Sequence, residues 1–376
     1  MPNETLRYYA TDKEIFDVLA SSRQRVSETA LLDMARSRGI FYSPRDSRDT
    51  LASNISLLPH DHDSLKEILG KSENPNRAEK VTSITLNAKI SPETIKAVVK
   101  SFSENAPSDE KVVAQSESPD KYRVQVKYTE LDYAKTRLLQ RRNREADIRF
   151  IIEDNKTTIR LPANPKAREI AALLKSGLDA SQKTEIPAET IDISDLSTDE
   201  RTLFFTYLIS TMDGYELRDV MNVKVQIGSA SKSPPLEDEE KNGEEQEDAA
   251  ITQTMLSVVE DVALHGKALL VSAEYQLLKD KGFFITSITW KAQQTKSPFN
   301  IVEYDAGFEE PEEGRGFRYN VRGLYRNRDG EFTKTMQALS AAHKEEIFPI
   351  IERTALRVLE ALRKKADIPQ QGGEQQ

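Results

Sequence analysis

The spacing of apolar residues changes along this chain, and that change limits the folds open to it. In the first 72 residues apolar side chains recur at helical intervals, as Ile15, Val18 and Leu19 do behind a Thr11–Glu14 capping box. From Ile84 onward several segments alternate apolar and polar residues, which is typical of half-buried strands, and helical stretches lie between them. The pattern predicts an α+β fold: a helical N-terminal module followed by one or two mixed α/β domains.

Polar segments with breaker residues set the predicted boundaries. We predict a helical module at 1–72, an α+β domain at 80–180 and a second α+β domain at 185–366. The strand–helix–strand order that begins near residue 190 resembles the order that begins at residue 84. This similarity indicates either a diverged duplication or two independent uses of a common unit.

An acidic, proline-containing segment interrupts the last predicted domain at 229–250. Residues 231–250 hold two lysines and eight acids, which leaves 51 basic and 54 acidic residues elsewhere in a chain of net charge −9. Such a composition cannot offset its ordering entropy by burial, so a disordered insertion is predicted here and a flexible tail at 367–376. An amphipathic helix is predicted directly after the insertion, at 251–266.

Composition excludes several classes of chemistry. The 376 residues include no cysteine, which rules out disulfides, thiolate metal sites and cysteine nucleophiles. No apolar run is long enough to cross a bilayer and the first residues lack the apolar core of a signal peptide, so a cytoplasmic protein without membrane contact is expected. Neither a glycine-rich phosphate loop nor a Gly-x-Ser-x-Gly elbow occurs, and we assign no catalytic residue and no cofactor.

Metal chemistry has only weak support. His60 and His62 in PHDHDS offer ligand types for a metal, but the same segment suits a helix start, and no metal site is assigned. A metal-dependent nuclease would need Glu-x-Lys on a strand, and the fragments at 151–156 and 288–292 lack that spacing.

Residues 27–56 contain two predicted helices joined by a polar connection. Gly39-Ile40 ends the first helix, and Leu51 and Ile55 supply the apolar face of the second. This segment resembles a SAP-like, helix–extended-loop–helix DNA-binding motif. It departs from that motif in lacking a second glycine in the loop and in carrying Asn54 where a basic residue is common.

The resemblance implies phosphate contacts near the start of the second helix, where basic side chains gather. The residues concerned are Arg36, Arg38, Arg45 and Arg48. The alternative is a plain helical docking module, because Asp46 and Asp49 partly cancel the arginines.

Basic residues also cluster at 121–149. A predicted strand places Lys121, Arg123 and Lys127 on one face, and Arg141, Arg142 and Arg144 follow closely. Basic side chains beside tyrosines suit a nucleic-acid groove, while the competing interpretation is that RLLQRRNRE forms a solvated helix. A third, weaker patch contains Arg318 and Arg322.

The resulting hypothesis is a non-enzymatic protein that binds DNA or RNA, or an adaptor, through phosphate contacts from these basic surfaces. One alternative is a subunit of a multi-protein complex, with prokaryotic defence or mobile elements as a setting, that binds a protein partner and no nucleic acid. A second alternative is a divergent metal-dependent nuclease.

Overall fold

A computed structural model describes residues 10–72, 79–227, 261–265 and 272–366. The chain divides into two compact units. Unit 1 comprises 1–77, 90–153 and 164–186, and unit 2 comprises 78–89, 154–163 and 187–376.

The α+β fold class is confirmed, with helices and strands as follows. The helices are α1 (Asp12–Ser21), α2 (Glu28–Arg36), α3 (Arg48–Ser56), α4 (His62–Ser72), α5 (Pro92–Asn105), α6 (Pro165–Gln182), α7 (Thr198–Ser210), α8 (Ala273–Asp280) and α9 (Ala341–Ala366). The strands are β1 (Val81–Leu86), β2 (Lys111–Ser118), β3 (Lys121–Leu131), β4 (Arg141–Glu153), β5 (Lys156–Pro162), β6 (Ala188–Glu189), β7 (Tyr215–Ile227), β8 (Asp261–His265), β9 (Phe283–Gln294), β10 (Ile301–Glu310), β11 (Arg315–Tyr325), β12 (Asn327–Arg328) and β13 (Glu331–Phe332).

The four N-terminal helices share one apolar core in unit 1. Thr11 and Glu14 form the predicted capping box of α1, and Ser27 and Ser47 cap α2 and α3. Gly39 has a φ of +74° after α2, a left-handed conformation that glycine adopts at low cost. The residues between α2 and α3 form an extended connection, and Leu138 of a 3-10 turn enters the same core.

The remainder of unit 1 is an antiparallel sheet, β2-β3-β4, covered on one face by helices. Tyr122, Val124 and Val126 of β3 are buried on the face that α5 and α6 cover. A Cβ added to Gly177 of α6 would lie 2.7 Å from the side chain of Val98, so this glycine permits close packing of the two helices. The other face of the sheet carries no helix of unit 1 among the described residues.

Unit 2 is built on a sheet of order β5-β1-β11-β10-β9-β7-β8, with β6 also paired to β1. Helices α7 and α9 cover one face, where Trp290 stacks on Tyr304 and Phe204 contacts Phe308 and Phe317. The opposite face carries polar side chains, among them Lys224, Ser287 and Arg318.

The element order of the chain repeats after the N-terminal helices. β1-α5-β2-β3-β4-β5-α6 has the same sequence of strands and helices as β6-α7-β7-β9-β10-β11-α9, once β8, α8, β12 and β13 are left out of the second. Both the diverged duplication and two independent uses of a common unit are compatible with this order, so the duplication stays a prediction.

Two predictions need correction or qualification. The helix predicted at 251–266 is wrong for 261–265, which form β8 and pair with β7, and the rest of that helix lies outside the described residues. The predicted boundary near residue 180 does not separate the two units, because β1 and β5 belong to unit 2.

The acidic segment at 229–250 and the tail at 367–376 lie outside the described residues.

Candidate nucleic-acid interface

The uncovered face of β2-β3-β4 in unit 1, here called the open face, brings together basic side chains from three strands. Alternation along β3 places Lys121, Arg123, Gln125 and Lys127 on this face, since the residues between them are buried toward α5 and α6. The strand register adds Lys111 from β2 and Arg141 and Arg149 from β4. The acids of this face are Glu145 and Asp147, and Glu117 lies 3.9 Å from Arg123.

Asp147 neutralises the centre of the open face. Arg123 donates hydrogen bonds of 2.7 and 2.8 Å to its two carboxylate oxygens, and Arg149 lies 3.2 Å from one of them. The hydrogen bonds from Arg123 to Asp147 raise the pKa of Arg123. Glu145 accepts a 2.6 Å hydrogen bond from Gln125. Arg123 is therefore held by the fold and is less available to a ligand than the lysines beside it.

Three lysines on the open face have no such partner. Lys111 and Lys127 are directly opposite each other on β2 and β3, and Lys121 is the first residue of β3. All three are exposed, and none forms an ion pair or a side-chain hydrogen bond with any described residue. Like charges opposite each other on neighbouring strands are destabilising, and Glu145, opposite Lys127 on β4, offsets part of this cost.

Apolar side chains lie exposed among these lysines. Val113 of β2 is 42% exposed and Leu131 of β3 is 47% exposed. The register places Val113 opposite Gln125 and Leu131 opposite Arg141, on the open face. A face with exposed, unpaired lysines and exposed apolar groups can contact phosphates and the sugars or bases beside them.

The arginines predicted to follow β3 occupy different faces of the sheet. Arg141 belongs to the open face, whereas Arg142 and Arg144 alternate to the other face, where Arg144 lies 2.9 Å from Glu130. The helical interpretation of RLLQRRNRE is wrong, because Arg137–Leu139 form a 3-10 turn and β4 begins at Arg141.

The four arginines predicted in the N-terminal module also differ in their surroundings. Arg36 is exposed beside Asp33, and Arg38 donates to the Pro59 carbonyl and contacts His60. The side chain of Arg48 is only 12% exposed and donates to the carbonyls of Leu19 and Val26. Burial lowers the pKa of Arg48, and its bonds belong to the core of the module.

Arg45 is the arginine of this set whose side chain remains exposed and unpaired among the described residues. Phe41 lies in the same connection between α2 and α3 and is 80% exposed. An exposed aromatic ring near an unpaired cation suits stacking on an unpaired base next to a phosphate contact.

His60 has both ring nitrogens occupied within the fold. Its Nε2 donates to the carbonyl of Ile55 at 2.8 Å, and its Nδ1 accepts from Arg38 at 3.1 Å. Burial lowers the pKa of His60, so the neutral ring that these bonds require is favoured. Within the described residues no group of three or more His, Asp or Glu side chains is arranged to hold a metal ion.

The third predicted patch lies in unit 2 and is not a continuous basic surface. Arg322 is 2.9 Å from Glu303, which places it in an ion pair. Arg318 instead lines a cavity on the polar face of the unit 2 sheet.

No protein-family model matches the chain, and a search of curated proteins found no match. In the described part of the chain, no helix combines the length and the apolar character needed to cross a bilayer.

Sequence reasoning missed Lys111 and the residues around the cavity of unit 2. The strand β2 was not predicted, because KVVAQSES alternates too weakly to be read as a strand. The alternation of Lys111, Val113 and Gln115 with Val112 and Ala114 was the signal available for it.

Proposed function

We propose that the protein binds nucleic acid through phosphate contacts on the open face of unit 1. The observation that carries the proposal is the Lys111–Lys127 pair, two exposed lysines opposite each other on β2 and β3. Glu145 of β4 is opposite Lys127, but neither lysine forms an ion pair with a described residue. A polyanion that lies across β2 and β3 would relieve their repulsion and release condensed counterions on binding.

Two further features support this proposal. Lys121 extends the row of unpaired lysines along β3, and Arg45 with Phe41 offers a second contact in the N-terminal module of the same unit. Because the segment that contributes Phe41 and Arg45 resembles a DNA-binding motif, DNA is the first nucleic acid to test.

The net charge of −9 does not oppose the proposal. Eight of the acids lie in residues 231–250, and the remaining residues are close to neutral with 51 basic and 54 acidic groups. Association at short range depends on the local potential of a face rather than on the net charge of the chain.

The test compares the double variant Lys111→Gln/Lys127→Gln with the wild-type chain by fluorescence anisotropy on duplex DNA, single-stranded DNA and RNA, from about 50 to 200 mM salt. Removing two phosphate contacts should lower the slope of log affinity against log salt by roughly 1.8 on duplex DNA. The matched control is Lys96→Gln/Lys100→Gln, which removes the same charge from exposed positions on α5.

Stability gives an independent readout of the same variant. Loss of the like-charge pair should leave the free energy of unfolding unchanged or raise it by up to ~1 kcal/mol, while affinity falls. If these lysines had a purely structural role, the double variant would lower the free energy of unfolding. The proposal fails if no nucleic acid binds at low salt, or if the α5 control weakens binding equally.

A further inference from the structure

The polar face of the unit 2 sheet contains a cavity of about 350 Å³. Its floor is a row of residues in register across four neighbouring strands: Lys224 of β7, Ser287 of β9, Gly307 of β10 and Arg318 of β11. The two middle residues are small and the two outer residues are cations, so the row forms a depression with a positive charge at each side.

Gly307 is required for this depression. A Cβ at this position would lie 2.7 Å from the Cβ of Ser287 and 2.9 Å from the carbonyl oxygen of Thr286. Any side chain there would collide with β9 and fill the floor of the cavity.

The two cations of the row have no protein partner within the described residues. Lys224 forms no ion pair or side-chain hydrogen bond, and the buried Nε of Arg318 has no hydrogen-bond acceptor. A buried donor without an acceptor is costly, and a bound anion would supply the missing acceptor. The third lining cation, Lys80, is already neutralised by Asp305 at 2.6 Å.

The remaining polar groups of the cavity accept hydrogen bonds. Glu309 contributes a carboxylate, and Thr286 and Ser287 contribute hydroxyl groups. Because the carboxylate repels negative charge, the cavity favours a ligand that carries hydroxyl or amino groups as well as its anionic group. A cavity of 350 Å³ is in the size range of sites for small ligands.

We propose that this cavity binds a small hydroxyl-bearing phosphate monoester, with its phosphate between Lys224 and Arg318. Arginine and lysine are the side chains that proteins use for phosphate groups, and Glu309 and Ser287 then receive the hydroxyl or amino groups of the ligand. The proposal does not depend on the nucleic-acid interface of unit 1.

The experiment measures binding of adenosine monophosphate and of adenosine to the full chain by titration calorimetry. We expect the monophosphate to bind at least about tenfold more tightly than adenosine, and Arg318→Gln or Lys224→Gln to remove about tenfold or more of that affinity. Lys279→Gln, which removes an exposed charge from α8, should have no effect.

A second arm separates a free monoester from the end of a nucleic acid. A hexanucleotide with a 5′-phosphate is compared with its 5′-hydroxyl form in wild type and Arg318→Gln. If only the phosphorylated oligonucleotide depends on Arg318 and adenosine monophosphate does not bind, the monoester recognised is a strand end. Lys111→Gln/Lys127→Gln should leave adenosine monophosphate binding unchanged, so the two proposals fail separately.

The proposal is overturned if adenosine and its monophosphate bind with equal affinity, if neither phosphorylated probe binds, or if Lys279→Gln weakens binding as much as the cavity variants. Thermal unfolding of each variant shows whether the fold is retained. Because Lys224 is exposed, Lys224→Gln should fold normally, and it tests the phosphate contact even if Arg318→Gln unfolds.

Discussion

Arg45 and Arg48 lie three residues apart in one polar connection, yet the fold uses them differently. Arg48 is the first residue of α3, and its guanidinium donates to Leu19 near the end of α1 and to Val26 before α2. A cation at the carbonyl end of α1 satisfies a group that the helix leaves unpaired. Arg45 makes no such side-chain contact with the described residues, and only its backbone N–H bonds to Ser43.

We therefore expect alanine to lower stability at Arg48 and to weaken nucleic-acid binding at Arg45. Arg48→Ala should lower the free energy of unfolding by about 2 kcal/mol, because two carbonyls lose a charged donor. Arg45→Ala should change stability by less than about 0.5 kcal/mol and weaken nucleic-acid binding. Urea unfolding together with anisotropy checks both. Equal losses of stability would show that the hydrogen bonds of Arg48 are not what distinguishes the two residues.

At the scale of elements, a buried ion pair joins helix α9 to the sheet of unit 2. Arg160 of β5 is 3% exposed and donates to both oxygens of Glu352 at 2.8 and 2.7 Å, and to Glu345 at 2.6 Å. Tyr319 of β11 also donates to Glu352. Burial alone would lower the pKa of Arg160, but hydrogen bonding and attraction from Glu352 outweigh burial and raise it.

Breaking one side of this pair should cost more than removing the charge from both. Arg160→Met leaves the buried carboxylate of Glu352 without its cation and should destabilise the protein by about 3–5 kcal/mol. The double variant Arg160→Met/Glu352→Gln should recover a large part of that loss, since Gln still accepts from Tyr319 and carries no charge. Denaturant unfolding of the full chain measures both. A double variant no more stable than Arg160→Met would contradict this account.

Local signals predicted many of the elements. The predicted cap of α1 at Thr11 is present, and Ser91, Asn164 and Ser197 cap α5, α6 and α7 in the same way, since a cap is decided by neighbours in sequence. The strands β9 and β11 can be recognised from the sequence because their alternating apolar residues face a single large core.

The missed features depend on residues far apart in sequence. β8 was predicted as helix, and its pairing with β7 is a tertiary contact that no local pattern contains. The cavity of unit 2 combines Lys224, Gly307 and Arg318 from three strands with Lys80, which precedes β1, and only the tertiary fold places them together. Part of the open face was predicted from the sequence. The alternation of β3 predicts Lys121 and Lys127 on one face, whereas Lys111 lies on β2, a strand that the sequence did not predict.

At the scale of the whole molecule, unit 2 is assembled from three separate stretches of chain. β11 pairs with β1, and β1 pairs in turn with β5. Both β1 and β5 precede residue 185, so the predicted domain at 185–366 lacks two strands of its sheet and the cation that pairs with Glu352. A domain of residues 185–366 that folded independently would need other contacts in place of these.

We expect a fragment of residues 185–376 to lack a cooperative unfolding transition near the unfolding temperature of the full chain. Without β1 the edge of β11 is unpaired, and without Arg160 a buried carboxylate has no cation, a loss of about 3–5 kcal/mol from a total that is typically about 5–15 kcal/mol. Circular dichroism during heating compares this fragment with a fragment of residues 78–376, which retains all three stretches of unit 2. A cooperative transition of the shorter fragment within a few degrees of the longer one would show that β1 and β5 are dispensable and that the predicted domain at 185–366 folds alone.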